Sequence, residues 1–347
     1  MEEREDSLEL SIEQFGPFGK YIEDEEIIDI RYNGQKVMVR HEQKGSYLVD
    51  DQIDSEWAKR LAKRISDKSN KSLNSTNSSI SVDIGNLRIS IINDTVCNTG
   101  NAITIRKTGN KLRMNNKDEI ICSRFCEAVT YDSLQIGIEG KLNAIIIGET
   151  GSGKTETIKH FARYIPNNQP IVTLEDAYEL RLEEIYPDKY VIPLKTKKNY
   201  GFHDGIMDAM RCDTKYFFMS EARGAEAKYV LAIAQSSTCI WTSIHAQQVY
   251  EIPDKLNSML SSEGELVNRE NEIYSAFDLG IKIRLIETAE GIKRNIEQLC
   301  VFERFNHQNN IIMIVDDGQL TGNHFPDSLM KRLRREGFED PFARKVA

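Results

Sequence analysis

Residues 143–155 read Asn-Ala-Ile-Ile-Ile-Gly-Glu-Thr-Gly-Ser-Gly-Lys-Thr, an apolar β-branched run that enters a G-x-x-x-x-G-K-T loop. Such a loop is a cradle for phosphate. Gly148, Gly151 and Gly153 let the backbone turn tightly and aim its N–H groups at an anion, with Glu149, Thr150 and Ser152 completing the wrap. Lys154 can reach the β- and γ-phosphates, and the Thr155 hydroxyl can hold Mg²⁺. From Thr155 to Tyr164 the pattern is helical, so the positive end of a helix faces the same phosphates. The chemistry expected here is binding of a nucleoside triphosphate with Mg²⁺.

A bound triphosphate needs carboxylates at neighbouring strand ends, to hold the metal and to position water. Two places supply them. Thr173-Leu174-Glu175-Asp176 ends the strand after the phosphate-loop helix, and Glu221 follows the aromatic run Tyr216-Phe217-Phe218-Met219-Ser220. An acid at the end of an apolar strand beside a phosphate loop is the Walker B arrangement. Glu175 and Glu221 are therefore the candidates for the metal and catalytic roles, although a helix cap or loop acid is the plainer reading of Glu175 and Asp176. Arg223 and Glu226 crowd the turn after Glu221. His245 ends another β-type run at 239–244, where a neutral imidazole can sense the γ-phosphate; a structural histidine is the alternative.

The elements that must carry these groups alternate. Strand-like runs at 143–147, 171–174, 216–220 and 238–244 interleave with helical patterns at 155–164, 203–212 and 225–235. That alternation builds a parallel sheet covered on both faces, with ligands at the carboxyl ends of its strands. Further on come helices at 249–260 and 270–278, strands at 281–287, 297–304 and 311–315, and a short basic helix at 326–335. Upstream, 27–31 and 36–40 flank Asn33-Gly34 as a hairpin, 55–66 forms a helix with one apolar stripe, and 87–92 and 102–106 read as strands. The polar stretch 67–79 reads as an exposed loop. Another at 108–117 separates an N-terminal α/β domain, 1–107, from the phosphate-loop domain, 118–347.

Composition bounds the function. The chain has 347 residues, 40 % hydrophobic and 29 % charged, as soluble globular proteins have. Its net charge of −9 argues against stable nucleic-acid binding, and the basic runs at 59–64 and 331–335 read as solvated helix faces. No apolar run is long enough to span a membrane. Ten acidic residues within 1–26 argue against a signal peptide. Six cysteines lack paired C-x-x-C spacing; Cys122 and Cys126 are expected to share a helix face, without partners for zinc, and all six to stay reduced.

Taken together, the segments resemble the secretion ATPase superfamily, the motors of type II and type IV secretion systems and related pili. Gly148–Thr155 matches its Walker A box, and Thr173-Leu174-Glu175-Asp176-Ala177-Tyr178-Glu179-Leu180 is similar to its Asp box. Ser220-Glu221-Ala222-Arg223-Gly224-Ala225-Glu226 resembles the Walker B box and Ser243-Ile244-His245-Ala246 the His box. Phe15-Gly16-Pro17-Phe18, Ile27-Ile28-Asp29-Ile30, Asn33-Gly34 and Ile103-Thr104-Ile105-Arg106 resemble the N-terminal domain of the Tad-pilus and type IV branch. The chain departs from the pattern at Ser220, at Ser236-Ser237-Thr238-Cys239 and at Asp213-Thr214.

The resemblance implies a RecA-like P-loop ATPase domain behind a smaller α/β domain. It implies ATP with Mg²⁺, a hexameric homo-oligomeric ring, and a cytoplasmic place at the inner face of the membrane beside secretion or pilus components. It adds Arg106, Arg88 and Arg211 as arginines that approach the nucleotide, and gives His245 and Arg223 places in the catalytic set with Lys154, Glu175 and Glu221. The function expected is ATP hydrolysis powering type IV secretion, conjugation or a Tad-like pilus. The departures favour a nucleotide-binding scaffold or switch as the alternative; a RecA-like ATPase acting directly on DNA ranks last.

Overall fold

A computed structural model describes residues 10–109, 111–261, 268–288 and 291–343. Most of the acidic N-terminal run (1–9) and Asn110 of the polar stretch lie outside the described residues. Backbone contacts divide the chain into two compact units, one of residues 1–109 with 287–293, the other of 110–286 with 294–347.

The first unit carries β1 (Ile27–Tyr32), β2 (Val37–His41), β3 (Gly45–Val49), β4 (Ser79–Ile84), β5 (Leu87–Ile92) and β6 (Ala102–Lys107) in one sheet, ordered β3-β2-β1-β6-β5-β4. Every neighbouring pair in it is antiparallel. Alternation does the sorting: Ile80, Val82 and Ile84 on β4, and Leu87, Ile89 and Ile91 on β5, are buried. The helix Ser55–Lys68 covers that core with Ala58, Leu61, Ala62 and Ile65. Asp54 caps it by accepting from the Glu56 N–H at 3.1 Å. The predicted loop 67–79 gives way to β4 at its last residue.

The second unit is built on β7 (Ala144–Ile147), β8 (Ile171–Glu175), β9 (Val191–Lys195), β10 (Tyr216–Met219), β11 (Cys239–Ser243), β12 (Leu279–Thr288), β13 (Gly291–Phe305), β14 (Gln308–Asp316) and β15 (Gln319–Leu320). Their order is β15-β14-β13-β12-β7-β11-β10-β8-β9. From β12 through β9 the neighbours run parallel. Successive residues point to opposite faces, so Ile146, Phe218 and Trp241 join one buried cluster while Ile145, Phe217 and Ile240 join the other. Both faces are covered, as the near-continuous apolar strands require.

Three local readings differ from expectation. Cys122 closes the helix Lys117–Cys122, Arg124 turns the chain at φ +59, and Cys126 precedes the next helix, Ala128–Glu139; the two cysteines do not share a helix face. β9 carries Pro193, which an edge strand tolerates because its outward side needs no N–H donor. The polar stretch is not free of the core either: Met114 packs against the same cluster as Tyr131 and Trp241. Its backbone is gripped by the phosphate-loop helix, with Met114 O accepting from His160 Nδ1 at 2.8 Å and Arg113 N–H donating to Glu156 at 3.3 Å.

Candidate functional site

β7 is buried along its whole length and delivers the chain to Gly148 at φ +148. A Cβ there would stand 2.4 Å from the Ile283 carbonyl oxygen and 2.7 Å from Ser152 Oγ, so the loop closes only around glycine. Gly153, at φ +107, starts the helix Lys154–Phe161, whose first N–H groups open toward the loop. Lys154 Nζ donates to the carbonyls of Gly148 at 2.7 Å and Glu149 at 3.1 Å. Burial lowers its pKa, opposed by the negative charges of Glu221, Glu179 and Glu149. Ser152 Oγ is buried with no hydrogen-bond partner, and Thr155 stands half-buried in the first helical turn. A glycine-lined cradle, an orphaned hydroxyl, a lysine and a helix N-terminus fit a phosphate chain. No group of three or more His, Cys, Asp or Glu side chains able to hold a metal occurs among the described residues.

Parallel pairing sets Leu174, Met219 and Thr242 side by side, so Glu175, Glu221 and His245 leave the sheet at the edge from which the phosphate loop springs. Glu221 is engaged by Arg223 and His245. Its Oε2 accepts from Arg223 Nη2 at 2.6 Å, and its Oε1 lies 2.7 Å from His245 Nε2 in a charge contact without hydrogen-bond alignment. Burial alone would raise this carboxyl's pKa; bonding to Arg223 and the charges of Arg223, His245 and Lys154 outweigh it and hold the group below the usual range. Arg223 also approaches Asp176, at 3.9 Å. One backbone bond and one side-chain bond tie the two turns together: Ala222 N–H donates to Ser243 O at 2.8 Å and Ser243 Oγ to Ser220 O at 2.5 Å.

Glu175 is placed differently. Its side chain is wholly buried, and its oxygens accept from the backbone N–H of Glu179 at 3.2 Å and of Leu180 at 3.1 and 3.2 Å. Burial, with the nearby charge of Glu179, pushes its pKa to about 8. It ties the turn 176–180 to the end of β8, and the acid of that turn whose field reaches Lys154 is Glu179.

The arginines sit on different elements. Arg106 and Arg88 pair across β6 and β5 in the first unit, where Arg106 Nε donates to the buried Asp29 at 3.1 Å and Arg31 donates to the same carboxylate at 3.0 Å. Arg211 is exposed, bonded to Asp208 at 3.1 Å, at the end of the helix Phe202–Arg211. That helix returns the chain to the start of β10, so within its own chain Arg211 lies at the amino edge of the sheet, opposite the phosphate loop. Sequence reasoning missed Arg294 and Glu179. Arg294 Nε donates to Gly151 O at 3.0 Å across 143 residues, a contact that no spacing rule announces.

Residues 21–313 match the family model of the Type II/IV secretion system protein. An uncharacterized protein of Bacillus anthracis is 26 % identical over 286 residues, which cover 79 % of this chain and 64 % of that one. An uncharacterized protein of Methanocaldococcus jannaschii is 29 % identical over 128 residues, covering 35 % and 46 %. The chain thus spans less than two thirds of the length of these relatives. The fold is similar to that of the Legionella pneumophila ATPase DotB, with a TM-score of 0.59, 20 % identity, and 84 % and 82 % of the two chains covered. It is likewise similar to the pilus retraction motor PilT solved with bound ADP, with a TM-score of 0.58, 17 % identity, and 95 % and 87 % covered. A RecA-like P-loop fold with an additional α/β unit, matched by its family model over most of its length, places this chain in the Type II/IV secretion system protein family.

Proposed function

We propose that the chain is a Mg²⁺-dependent ATPase that works as a hexameric ring and powers a type IV secretion, conjugation or pilus machine from the cytoplasmic face of the membrane. One observation carries the reading: Lys154 bonds to the Gly148 and Glu149 carbonyls of its glycine cradle, at the sheet edge where Arg223 and His245 contact both oxygens of Glu221. Mg²⁺, held by Thr155 and the phosphates, would neutralise charge on the γ-phosphoryl group. Glu221 orients the attacking water, and His245 senses the loss of the γ-phosphate through its contact with Glu221. Glu175 serves by shaping the turn that carries Glu179. Arg106 and Arg88 are assigned to a bound nucleotide; Arg211, which lies in its own unit at the sheet edge opposite the loop, is assigned to the nucleotide of a ring neighbour, which a heterologous, closing contact allows. The N-terminal domain, 1–107, and the RecA-like domain, 118–347, move against each other through the segment 108–117. No described helix is long and apolar enough to cross a membrane; the docking is assigned to a membrane partner.

The test is Lys154→Ala: ATP hydrolysis falls about hundredfold or more while the circular dichroism spectrum is kept. Unchanged turnover would defeat the assignment. The engagement of both Glu221 oxygens favours one other reading, a nucleotide-dependent switch with negligible turnover. In that case phosphate release by the wild type already sits at background and ATP binding persists.

A further inference from the structure

The phosphate loop is held from outside its own turn. Arg294 on β13 donates from Nε to Gly151 O, and its Cδ lies 3.8 Å from where a Cβ on Gly153 would stand. In a trans peptide the C=O and N–H point opposite ways. Holding the Gly151 carbonyl on one side therefore turns the Ser152 N–H to the other, where it donates to Glu149 O at 3.1 Å. Gly151 and Gly153, at φ +81 and +107, have no side chains with which to fix this turn, and glycine loses more freedom than any other residue when ordered. A guanidinium suits the task because it stays charged at every working pH and a charged donor bonds more strongly than a neutral one.

Resting on the nucleotide reading above, we propose that Arg294 is a positioning residue for the phosphate loop: it shapes the Glu149–Ser152 turn before the phosphates arrive, whatever base they carry. The loop then has less ordering left to do on binding. The contact is with the loop and not with a base, so the effect extends to a polyphosphate that has no nucleoside.

The experiment is calorimetric titration of the full chain with Mg·ATP, Mg·ADP and magnesium tripolyphosphate. Arg294→Ala weakens all three by about tenfold, the scale of one lost charged hydrogen bond. Arg294→Lys, which keeps a charged donor, recovers part of the loss. In steady state the KM for ATP rises while kcat stays within about twofold. A loss confined to the two nucleotides overturns the inference, because a base contact then accounts for it; so does unchanged binding of all three. If Arg294→Ala does not fold, Arg294→Gln takes its place, and equal weakening of the three ligands is again the expected result. Wild-type protein that binds none of them defeats the nucleotide reading and this inference together. Wild-type binding with an unaltered Arg294 variant defeats this inference alone.

Discussion

Glu175 and Glu221 leave the same edge of one sheet from adjacent parallel strands, yet the surroundings give them opposite characters. Glu175 is buried and bonded to backbone N–H groups; burial and the negative charge of Glu179, outweighing those bonds and the positive charge of Lys159, push its pKa up to about 8. Glu221 is partly open, meets Arg223 and His245, and stays ionised. Two identical side chains thus divide the work: one holds a turn in shape, the other presents a charge toward the phosphate loop. Where two carboxyl groups in a site are pushed apart in pKa, the environments name their roles.

Breaking the comparison on the catalytic side has the largest effect. Glu221→Gln lowers ATP turnover about hundredfold or more and leaves ATP affinity close to wild type, as phosphate release and titration would show; a variant that turns over normally removes Glu221 from the chemistry. On the structural side, Glu175→Ala strips the Glu179 and Leu180 N–H groups of their acceptor in a dry interior. It destabilises the fold by about 2–4 kcal/mol in urea denaturation.

Glu175→Gln sharpens the contrast, because it keeps one acceptor oxygen for the Glu179 and Leu180 N–H groups, puts an NH2 group in place of the other, and cannot ionise. The folded carboxyl titrates near 8 and its unfolded counterpart near 4.5, so between those values the folded state retains a proton the unfolded state has lost. Stability therefore falls as pH rises through that window. The variant's melting temperature should decline less than the wild type's between pH 4.5 and about 8, and an equal decline would remove Glu175 as the cause. The smallest effect belongs to Arg223→Gln. Without that guanidinium the Glu221 carboxyl moves up, and the acid limb of the kcat/KM profile shifts to higher pH; a profile that stays put would show that His245 and Lys154 suffice.

Much of this was legible before any coordinates. The loop at Gly148–Thr155, the strands around it and the alternation that stacks them are local patterns, each contained in a dozen residues. What stayed hidden depends on neighbours distant in sequence. β9 was masked by Pro193, whose place at a sheet edge is a fact of strand order. The helix Ala128–Glu139 went unread because Thr130 and Ser133 are buried along with Leu134 and Ile138, which blurs any apolar stripe. β3 is an edge strand that exposes Tyr47 and Leu48, so burial leaves little alternation to find there.

The sequence by itself determined that this chain has a phosphate cradle with a lysine, a hydroxyl and a helix behind it, because that chemistry is written in contiguous residues. It also named both acids. Only the tertiary structure decided which of them is buried against backbone and which faces Arg223 and His245, and it alone brought Arg294 to Gly151 across 143 residues. The physical reason is that a carboxyl group's proton affinity and a guanidinium's partner are set by what packs around them, and packing partners are chosen by the fold.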